Sequence, residues 1–349
     1  MNSFGDKWSF TSFGESHGAA IGGVLDGVPA RLHIDLEMIK SELLRRKGVT
    51  GNGLPEAGVS PRAVREPDEV EWLSGVMEIH NSQCTMHNEK GSDRELVTLG
   101  TPIAFIIRNK DARPEDYEWL KHSYRVGHAD KVYEQKYGIR DWRGGGRASA
   151  RETAGRVVAG CIAKQELEQR GISIQAQLVQ VGAETDPAKF ADVIAAYQKE
   201  GDSIGGIIEC RITGLPTGTG EPIFNKLQAE LAFAVMSINA CKGFEYGTGF
   251  GGVTQPGSAI NAISGGIAGG ISDGTEVVFR CVFKPTASTP KALDNLQFLA
   301  PEGHDYLTGS NFHNSQLKMK KGRHDACVAT RAVPVVEAMT ALALVNLLP

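Results

Sequence analysis

Several features that mark large classes of proteins are missing from this sequence of 349 residues. It has no linker rich in proline and serine, no block of like charge and no low-complexity run, which predicts a single domain over residues 1–349. Its apolar runs are too short to cross a bilayer, and its start, MNSFGDKWSF, lacks the basic and apolar segments of an export signal. We therefore expect a cytoplasmic protein that does not bind a membrane.

Cysteine is scarce and never closely paired. Disulfide frameworks and the common zinc sites both require short, repeated cysteine spacings. No C-x-x-C pair occurs here and several of the cysteines lie in apolar segments, which predicts reduced and mostly buried thiols. The six cysteines are Cys84, Cys161, Cys210, Cys241, Cys281 and Cys327.

The nearest approach to a metal-binding pattern lies in the polar stretch 79–95. His80, Cys84 and His87 are candidate ligands, but their spacing matches no standard site and no carboxylate falls at a matching interval. We interpret this stretch as a surface hairpin or loop and predict no metal.

A strong excess of charge of one sign is also missing. The 37 Lys and Arg residues against 41 Asp and Glu residues give a net charge of −4, which argues against a broad surface for nucleic acid. Glycine, in contrast, is abundant: 42 residues are about 12% of the chain, against about 7% in an average protein. The glycines gather in loops beside Arg, Lys, Ser and His, which favours backbone-lined sites for a small-molecule ligand.

Apolar periodicity predicts an α+β fold without the strict alternation of a doubly wound sheet. The predicted strands are residues 7–11, 102–108, 172–181, 204–212 and 276–283. The predicted helices begin at Asp35, span 71–77, run from the stretch 138–153 to Gly171, and begin again at Asp186, at Pro222 and near Pro334.

The stretch 138–153, GIRDWRGGGRASARET, is the strongest candidate for a ligand site. Three glycines lie between Arg143 and Arg147, and Ser149 and Glu152 have the S-x-x-E spacing of a capping box that opens a helix. Glycines let backbone N–H groups approach a ligand, a helix N-terminus adds partial positive charge, and arginines add forked donors. Because apolar residues follow at helical spacing, we interpret the stretch as an anion site on a buried helix rather than a solvated turn.

A second candidate follows the first predicted strand. His17 lies in the loop FGESHG between glycines, so we expect its ring to be exposed to a cavity rather than packed. Arg45, Arg46 and Lys47 close the helix that begins at Asp35, but basic residues there complement the helix dipole and are by themselves a weak sign of function.

Six uncommon motifs, in order across nearly the whole chain, resemble chorismate synthase. They are FGESHG, the segment from GHAD to SARETAGR, MSINACKG, SGGIAGGIS, KPTAS and GRHDACVATRAVPVVEAM. The resemblance implies a lyase that converts 5-enolpyruvylshikimate 3-phosphate to chorismate and phosphate by 1,4-anti-elimination, the last common step of aromatic amino-acid biosynthesis in the shikimate pathway. It also implies a β-α-β sandwich fold, a homotetramer, and reduced FMN as a catalyst that is not consumed.

The resemblance assigns roles to residues at matching positions. The catalytic positions are His17, assigned to the leaving phosphate, His128, assigned to the flavin, and Asp325, which orients a neighbouring donor or helps to take the substrate proton through flavin N5. The substrate-binding positions are Arg45, Arg46 and Arg151. The positions expected to contact FMN are Arg147, Ala148, Ser149, Asn239, Ala240, Gly269, Lys284, Pro285, Thr286, Ala287, Ser288 and Arg323.

The sequence departs from the family pattern after the paired arginines, where R-P-G-T-S-R is usual and RKGVTGN occurs, so Asn52 stands in place of a basic residue. Since no segment resembles a reductase domain, we predict an external flavin reductant, with NADPH as the alternative source of electrons. Two other functions stay open at this point. One is a flavin oxidoreductase that turns over by hydride transfer, and the other is a non-catalytic module that binds an anion or RNA.

Overall fold

The computed structural model of the chain describes residues 1–49, 56–59, 65–80, 94–122, 124–125, 127–259, 264–287, 289–291 and 324–349. Its helices are α1 (Leu36–Lys47), α2 (Asp130–Tyr137), α3 (Thr153–Gln169), α4 (Phe190–Lys199), α5 (Leu227–Met236) and α6 (Ala329–Leu347). Its strands are β1 (Ser3–Phe4), β2 (Ser9–Gly14), β3 (Ala20–Asp26), β4 (His33–Ile34), β5 (Val70–Ser74), β6 (Val76–His80), β7 (Arg94–Thr98), β8 (Ile103–Arg108), β9 (Ser173–Val181), β10 (Gly206–Thr213), β11 (Cys241–Tyr246), β12 (Ile267–Ala268), β13 (Ile271–Ser272) and β14 (Val277–Phe283).

Two antiparallel sheets form the main β-structure of the described residues. The first has the strand order β1-β2-β3-β8-β5 and the second the order β11-β14-β10-β9. Strand β8 illustrates their construction, because Ile103, Phe105 and Ile107 are fully buried and alternate with less buried residues. Each such strand therefore turns one apolar face towards the interior.

Helices α3 and α6 lie between the two sheets. Helix α3 contacts β3 of the first sheet, α6 contacts β9 and β10 of the second, and the two helices pack on each other. Gly160 of α3 permits this close crossing, because a Cβ at that position would overlap Ala338 of α6. The buried apolar residues form one core cluster through these layers. The predicted α+β fold, with helices between sheets, is confirmed.

Among the described residues, α6 is the one helix that is long and apolar enough to cross a membrane, with a mean hydropathy of 1.3. Its most apolar window is 72% buried within the protein. The apolar character of α6 is therefore explained by its place in the core.

A buried ion network joins α1, α3 and α6. Glu337 of α6 accepts hydrogen bonds from both Nη atoms of Arg45 at 2.9 and 3.0 Å and from Lys164 Nζ at 2.9 Å. Lys164 also donates to Glu42 at 3.0 Å, and the backbone N–H of Ala176 in β9 donates to Glu337 at 2.9 Å. Burial alone would raise the pKa of Glu337, but Arg45 and Lys164 outweigh it and lower that pKa.

Three predicted elements differ from the structure. Residues 71–77 do not form a helix but belong to β5 and β6, which meet at Gly75 (φ +78°) and pair with β8 and β7. The helix predicted from Pro222 begins at Leu227, and the helix predicted from near Pro334 begins at Ala329. Strand pairing with distant residues overrides the local pattern in the first case.

The cysteine prediction is confirmed for five of the six residues. Cys161, Cys210, Cys241, Cys281 and Cys327 are free and buried. Cys84 and His87, from the predicted loop 79–95, lie outside the described residues.

Candidate active site

A cavity of about 1050 Å³ lies among the loops that join the sheets and helices. This volume is slightly above the usual range for ligand sites, roughly 300–1,000 Å³, which leaves room for more than one small molecule. Its described lining has eight Arg and Lys side chains against five Asp and Glu side chains, although the whole chain carries a net charge of −4. The cavity therefore favours anions.

The glycine-rich loop forms one wall of the cavity. Gly144, Gly145 and Gly146 have φ values of +64°, +90° and +52°. A Cβ at Gly144 would overlap His17 Nδ1, and a Cβ at Gly145 would lie 2.9 Å from His128 Cε1. The glycines therefore allow both histidines that the sequence analysis singled out to lie directly against the same loop.

His17 is buried, contrary to the prediction that its ring is exposed to a cavity. The residue is 5% exposed, and its ring makes an edge-to-face contact with Tyr117 at 4.7 Å between ring centroids. Ser16, Tyr117 and Gly144 line the cavity beside it. The exposure prediction was wrong because the covering residues come from segments far along the chain, which the glycines around His17 do not reveal.

His128 lines the cavity beside a buried carboxylate. Its Nδ1 lies 3.0 Å from Asp130 Oδ1 and 3.1 Å from Arg125 Nη2, and Arg125 also donates to both oxygens of Asp130. Burial alone would raise the pKa of Asp130, but hydrogen bonds from Arg125 and His128 outweigh it and hold that pKa well below its usual range. When Nδ1 carries a proton it can donate to Asp130, and when it carries none it can accept from Arg125. Because Nδ1 has a partner in either state, the ring can keep its position while Nε2 gains or loses a proton.

The helix predicted after the glycines is present and is reached through two tight turns. The 3-10 turns Gly146–Ala148 and Ala150–Glu152 lead into α3. Ser149 Oγ accepts a hydrogen bond from a backbone N–H two residues ahead at 3.3 Å and so caps the second turn. Glu152 pairs with Arg156 at 3.0 Å instead of completing a capping box.

The two arginines that flank the glycines have different surroundings. Arg147 lines the cavity, donates to the Gly14 carbonyl at 3.1 Å and donates to Ser12 Oγ, which ties the loop to the end of β2. Arg143 pairs with Asp141 at 2.8 Å, its side chain is 43% exposed, and it does not line the cavity. Of the two arginines, Arg147 thus faces the cavity and Arg143 lies at the surface.

The second wall of the cavity is tied to the first by hydrogen bonds. Asn239 Nδ2 donates to the Ala148 carbonyl at 2.8 Å. Ala240, with φ +69°, adopts a left-handed conformation, and its carbonyl accepts from the Lys284 backbone N–H at 3.0 Å. Lys284 Nζ donates to the Gly127 carbonyl at 2.8 Å. The wall continues along Pro285, Thr286 and Ala287.

Arg46 and Arg151 line the cavity and share one carboxylate, Asp68. Burial lowers the pKa of Arg46 to about 10, although the negative charge of Asp68 acts to raise it. Arg46 therefore remains a cation at neutral pH. Asp325 also lines the cavity and pairs with Arg331 at 2.5 Å, and Arg331 Nε donates to the Arg46 carbonyl at 3.0 Å. The predicted residues Arg46, Arg151 and Asp325 are thus brought into one connected group.

Two predicted site residues lie away from the cavity, and their roles stay predictions. Arg45 pairs with Glu42 and Glu337 in the buried ion network. Gly269 is exposed at the tip of the hairpin β12-β13. Three further residues of the sequence analysis, Ser288, Arg323 and Asn52, lie outside the described residues.

The cavity also has lining residues that the sequence analysis does not single out. They include Tyr117, Arg125, Lys242 and Arg331. Lys242 lies inside the motif MSINACKG and Arg331 inside the motif that begins at GRHD, so the resemblance could have pointed to both. Tyr117 and Arg125 carry no comparable signal, because their positions depend on how distant segments pack.

Comparison with known proteins supports one family. The family model for chorismate synthase matches residues 8–348. Chorismate synthase from Phocaeicola vulgatus is 42% identical, over 99% of this chain and 97% of that protein, and chorismate synthase from Christiangramia forsetii is 42% identical, over 99% and 96% respectively. A crystal structure of chorismate synthase superimposes with a TM-score of 0.66 at 25% identity, over 99% of this chain and 92% of that chain. The family model, the relatives and the fold therefore show that the chain belongs to the chorismate synthase family.

Proposed function

We propose that the chain converts 5-enolpyruvylshikimate 3-phosphate to chorismate and phosphate by 1,4-anti-elimination, with reduced FMN as a catalyst that is not consumed. The observation that carries this proposal is the contact of His17 and His128 with the same glycine-rich loop, in a cavity with an excess of basic side chains. Proton transfer to a departing phosphate and protonation control at a flavin each require a group that titrates near neutral pH, and histidine is that group.

The residues of the cavity fit a flavin mononucleotide. Arg147 and Lys284 supply cationic donors for a phosphate, and Asn239 and Ala240 form the bend between them. Arg46 Nε is buried and has no hydrogen-bond acceptor among the described residues, which leaves one donor for a bound anion or water. Reduced FMN, when bound, would supply an electron that returns to it by the end of the reaction, and a base for the proton that the substrate loses.

Substrate binding and proton transfer are assigned to different side chains of this protein. Arg46 and Arg151 bind anionic groups of the substrate, since both residues line the cavity. The family resemblance assigns His17 to the leaving phosphate, and its ring packs against Tyr117 and Gly144, which line the cavity. His128 holds or moves a proton at Nε2 while Asp130 and Arg125 steady Nδ1. The homotetramer and the cytoplasmic location stay predictions.

The direct test is an anaerobic assay with 5-enolpyruvylshikimate 3-phosphate and photoreduced FMN, in which chorismate is measured. The expected result is chorismate and phosphate in equal amounts with no net consumption of a reductant. The absence of chorismate with flavin demonstrably bound would contradict the proposal, and stoichiometric consumption of NADPH would indicate a flavin oxidoreductase instead.

We further propose that the chain depends on an external reductant for FMN. This rests on the lack of a reductase-like segment and on Asn52 in place of a basic residue. The expected result is turnover with photoreduced FMN or an added flavin reductase, and none in air with NADPH and FMN alone. Sustained aerobic turnover with NADPH and FMN alone would show that the chain reduces its own flavin.

Replacing Arg147 with alanine is expected to weaken FMN binding by roughly 1.5–3 kcal/mol, the contribution of a charge-assisted hydrogen bond. The measurement is a fluorescence titration of FMN into the full chain. Arg143→Ala is the matched control, because Arg143 flanks the same glycines but pairs with Asp141 outside the cavity and should leave FMN affinity unchanged. Equal affinity in folded Arg147→Ala would mean that Arg147 only ties the loop to β2.

A further inference from the structure

Asp68 forms ion pairs with two arginines that line the cavity. Arg46 comes from the last turn of α1 and Arg151 from the turn before α3, and both line the cavity. Asp68 Oδ2 accepts from Arg46 Nη2 at 3.2 Å, and Asp68 Oδ1 accepts from Arg151 Nη1. The Asp68 side chain is 1% exposed and is not among the described residues that line the cavity. One carboxylate therefore pairs with both arginines and does not itself line the cavity.

The surroundings enforce this arrangement. Two guanidinium groups in one buried site repel each other unless a negative charge lies between them. Burial alone would raise the pKa of Asp68, but the charges of Arg46 and Arg151 outweigh it, so Asp68 stays ionised. The backbone of Asp68 has φ +53°, a left-handed conformation that is uncommon for residues with a side chain but that Asp adopts more readily than most.

The same connection continues from Arg151 to the loop of His17. Arg151 Nε donates to Asn109 Oδ1 at 2.9 Å. The Nδ2 atom of Asn109 donates to the carbonyls of Glu15 and Gly18 at 3.0 and 2.9 Å. These two carbonyls stand on either side of His17 in the chain. A displacement of Arg151 would therefore be transmitted to the loop that carries this histidine.

We propose that Asp68 is a positioning residue for anion binding. It fixes Arg46 and Arg151 as one pair and, through Arg151 and Asn109, holds the loop of His17. The inference rests on the proposed function in one respect, since the anion that the pair receives is taken to be the phosphate or a carboxylate of the substrate.

A purely electrostatic role for Asp68 makes the opposite prediction. If Asp68 only reduced the positive potential of the two arginines, its neutralisation to asparagine would strengthen the binding of any anion in the cavity. If Asp68 positions the arginines, the same change weakens anion binding, because the two guanidinium groups lose the carboxylate that holds them as a pair.

The test compares wild type with Asp68→Asn in the full chain by calorimetric titration of inorganic phosphate. The expected result is a Kd for phosphate that rises about tenfold or more, with a similar rise in KM for the substrate. FMN affinity should stay close to wild type, while Tm falls because Asp68→Asn leaves two buried guanidinium groups without the charge between them. Asp111→Asn is the matched control, because Asp111 also bridges two arginines, Arg65 and Arg113, and lies outside the cavity lining.

The remaining outcomes each decide the question. Unchanged or tighter phosphate binding in Asp68→Asn would overturn the proposal, and so would a loss of FMN affinity as large as the loss of phosphate affinity, which indicates a role in folding only. If Asp68→Asn does not fold, Asp68→Glu decides, because it keeps the charge and displaces the arginines, and unchanged phosphate affinity in that variant would overturn the proposal. If wild type makes no chorismate, the proposed function fails, while the phosphate titration still decides the role of Asp68.

Discussion

Replacing His128 with alanine is expected to slow chorismate formation by between about ten- and ten-thousand-fold while FMN remains bound. The reason is the cluster around its ring, where Nδ1 has a partner in Asp130 or Arg125 in either protonation state and Nε2 is left to exchange a proton. The measurement is single-turnover chorismate formation under anaerobic conditions with saturating FMN. His33→Ala is the control, because His33 is exposed in β4 and does not line the cavity.

His17→Ala should reduce turnover over the same range, so turnover alone does not separate the two histidines. The absorption spectrum of bound, reduced FMN under anaerobic conditions does. Only His128→Ala should change the protonation state that this spectrum reports, since His17 is assigned to the leaving phosphate. A changed spectrum in His17→Ala alone would mean that the two roles are assigned the wrong way round, and full activity in both variants would remove the histidines from the mechanism.

Replacing Glu337 with alanine is expected to lower the free energy of unfolding by about 3–5 kcal/mol. The Glu337 side chain is 4% exposed and pairs with Arg45 and Lys164, so its removal leaves two cations facing only Glu42. The measurement is denaturant unfolding followed by circular dichroism. Glu69→Ala is the matched control, because Glu69 pairs with Lys110 at the surface and should change stability by under about 1 kcal/mol.

A double variant separates loss of charge from loss of packing. Glu337→Leu combined with Lys164→Met removes one charge of each sign and keeps side chains of similar volume, so it should recover much of the stability that Glu337→Ala loses. If Glu337→Ala alone is as stable as wild type, the network does not stabilise the fold.

The ion network around Glu337 also makes the stability of the fold depend on pH in the acid range. The pKa of Glu337 is lower in the folded chain than its ordinary value of 4.5, so the folded state binds this proton less readily than the unfolded state. Its contribution to stability is therefore fully present above about pH 4.5 and is lost as the pH falls through the folded pKa. Glu337→Ala should accordingly show a weaker loss of stability in acid than wild type.

The elements that could be predicted from the sequence are those fixed by local chemistry. Asp35 caps α1 by accepting from the Met38 N–H at 2.9 Å, as its place at the start of the helical pattern indicated, and Gly48 follows the predicted last turn in a left-handed conformation. The glycine-rich stretch likewise leads into a buried helix that ends before Gly171. In each case the decisive contacts lie within a few residues of one another.

The features that could not be predicted depend on distant contacts. The burial of His17 requires Tyr117 and Gly144, and the role of Asp68 requires that two separate segments bring Arg46 and Arg151 to one carboxylate. No periodicity or spacing around Asp68 in the sequence predicts that Arg46 and Arg151 pair with it. The pattern of residues 71–77 also changes from helix to strand only because β8 and β7 are available to pair with it.

The place of α6 between the sheets makes the fold depend on contacts between distant parts of the chain. This helix packs on α1, α3, α5, β9 and β10 and follows all of them in the chain. The hydrogen bond from Arg331 to Arg46 joins residues 285 positions apart, and the one from Trp8 to Asn346 spans 338. Long chain closures of this kind are slow, because their entropy is lost before the contacts form. Arg331 and Met339 of α6 line the cavity, so this part of the cavity wall is complete only once α6 has packed against the rest of the chain.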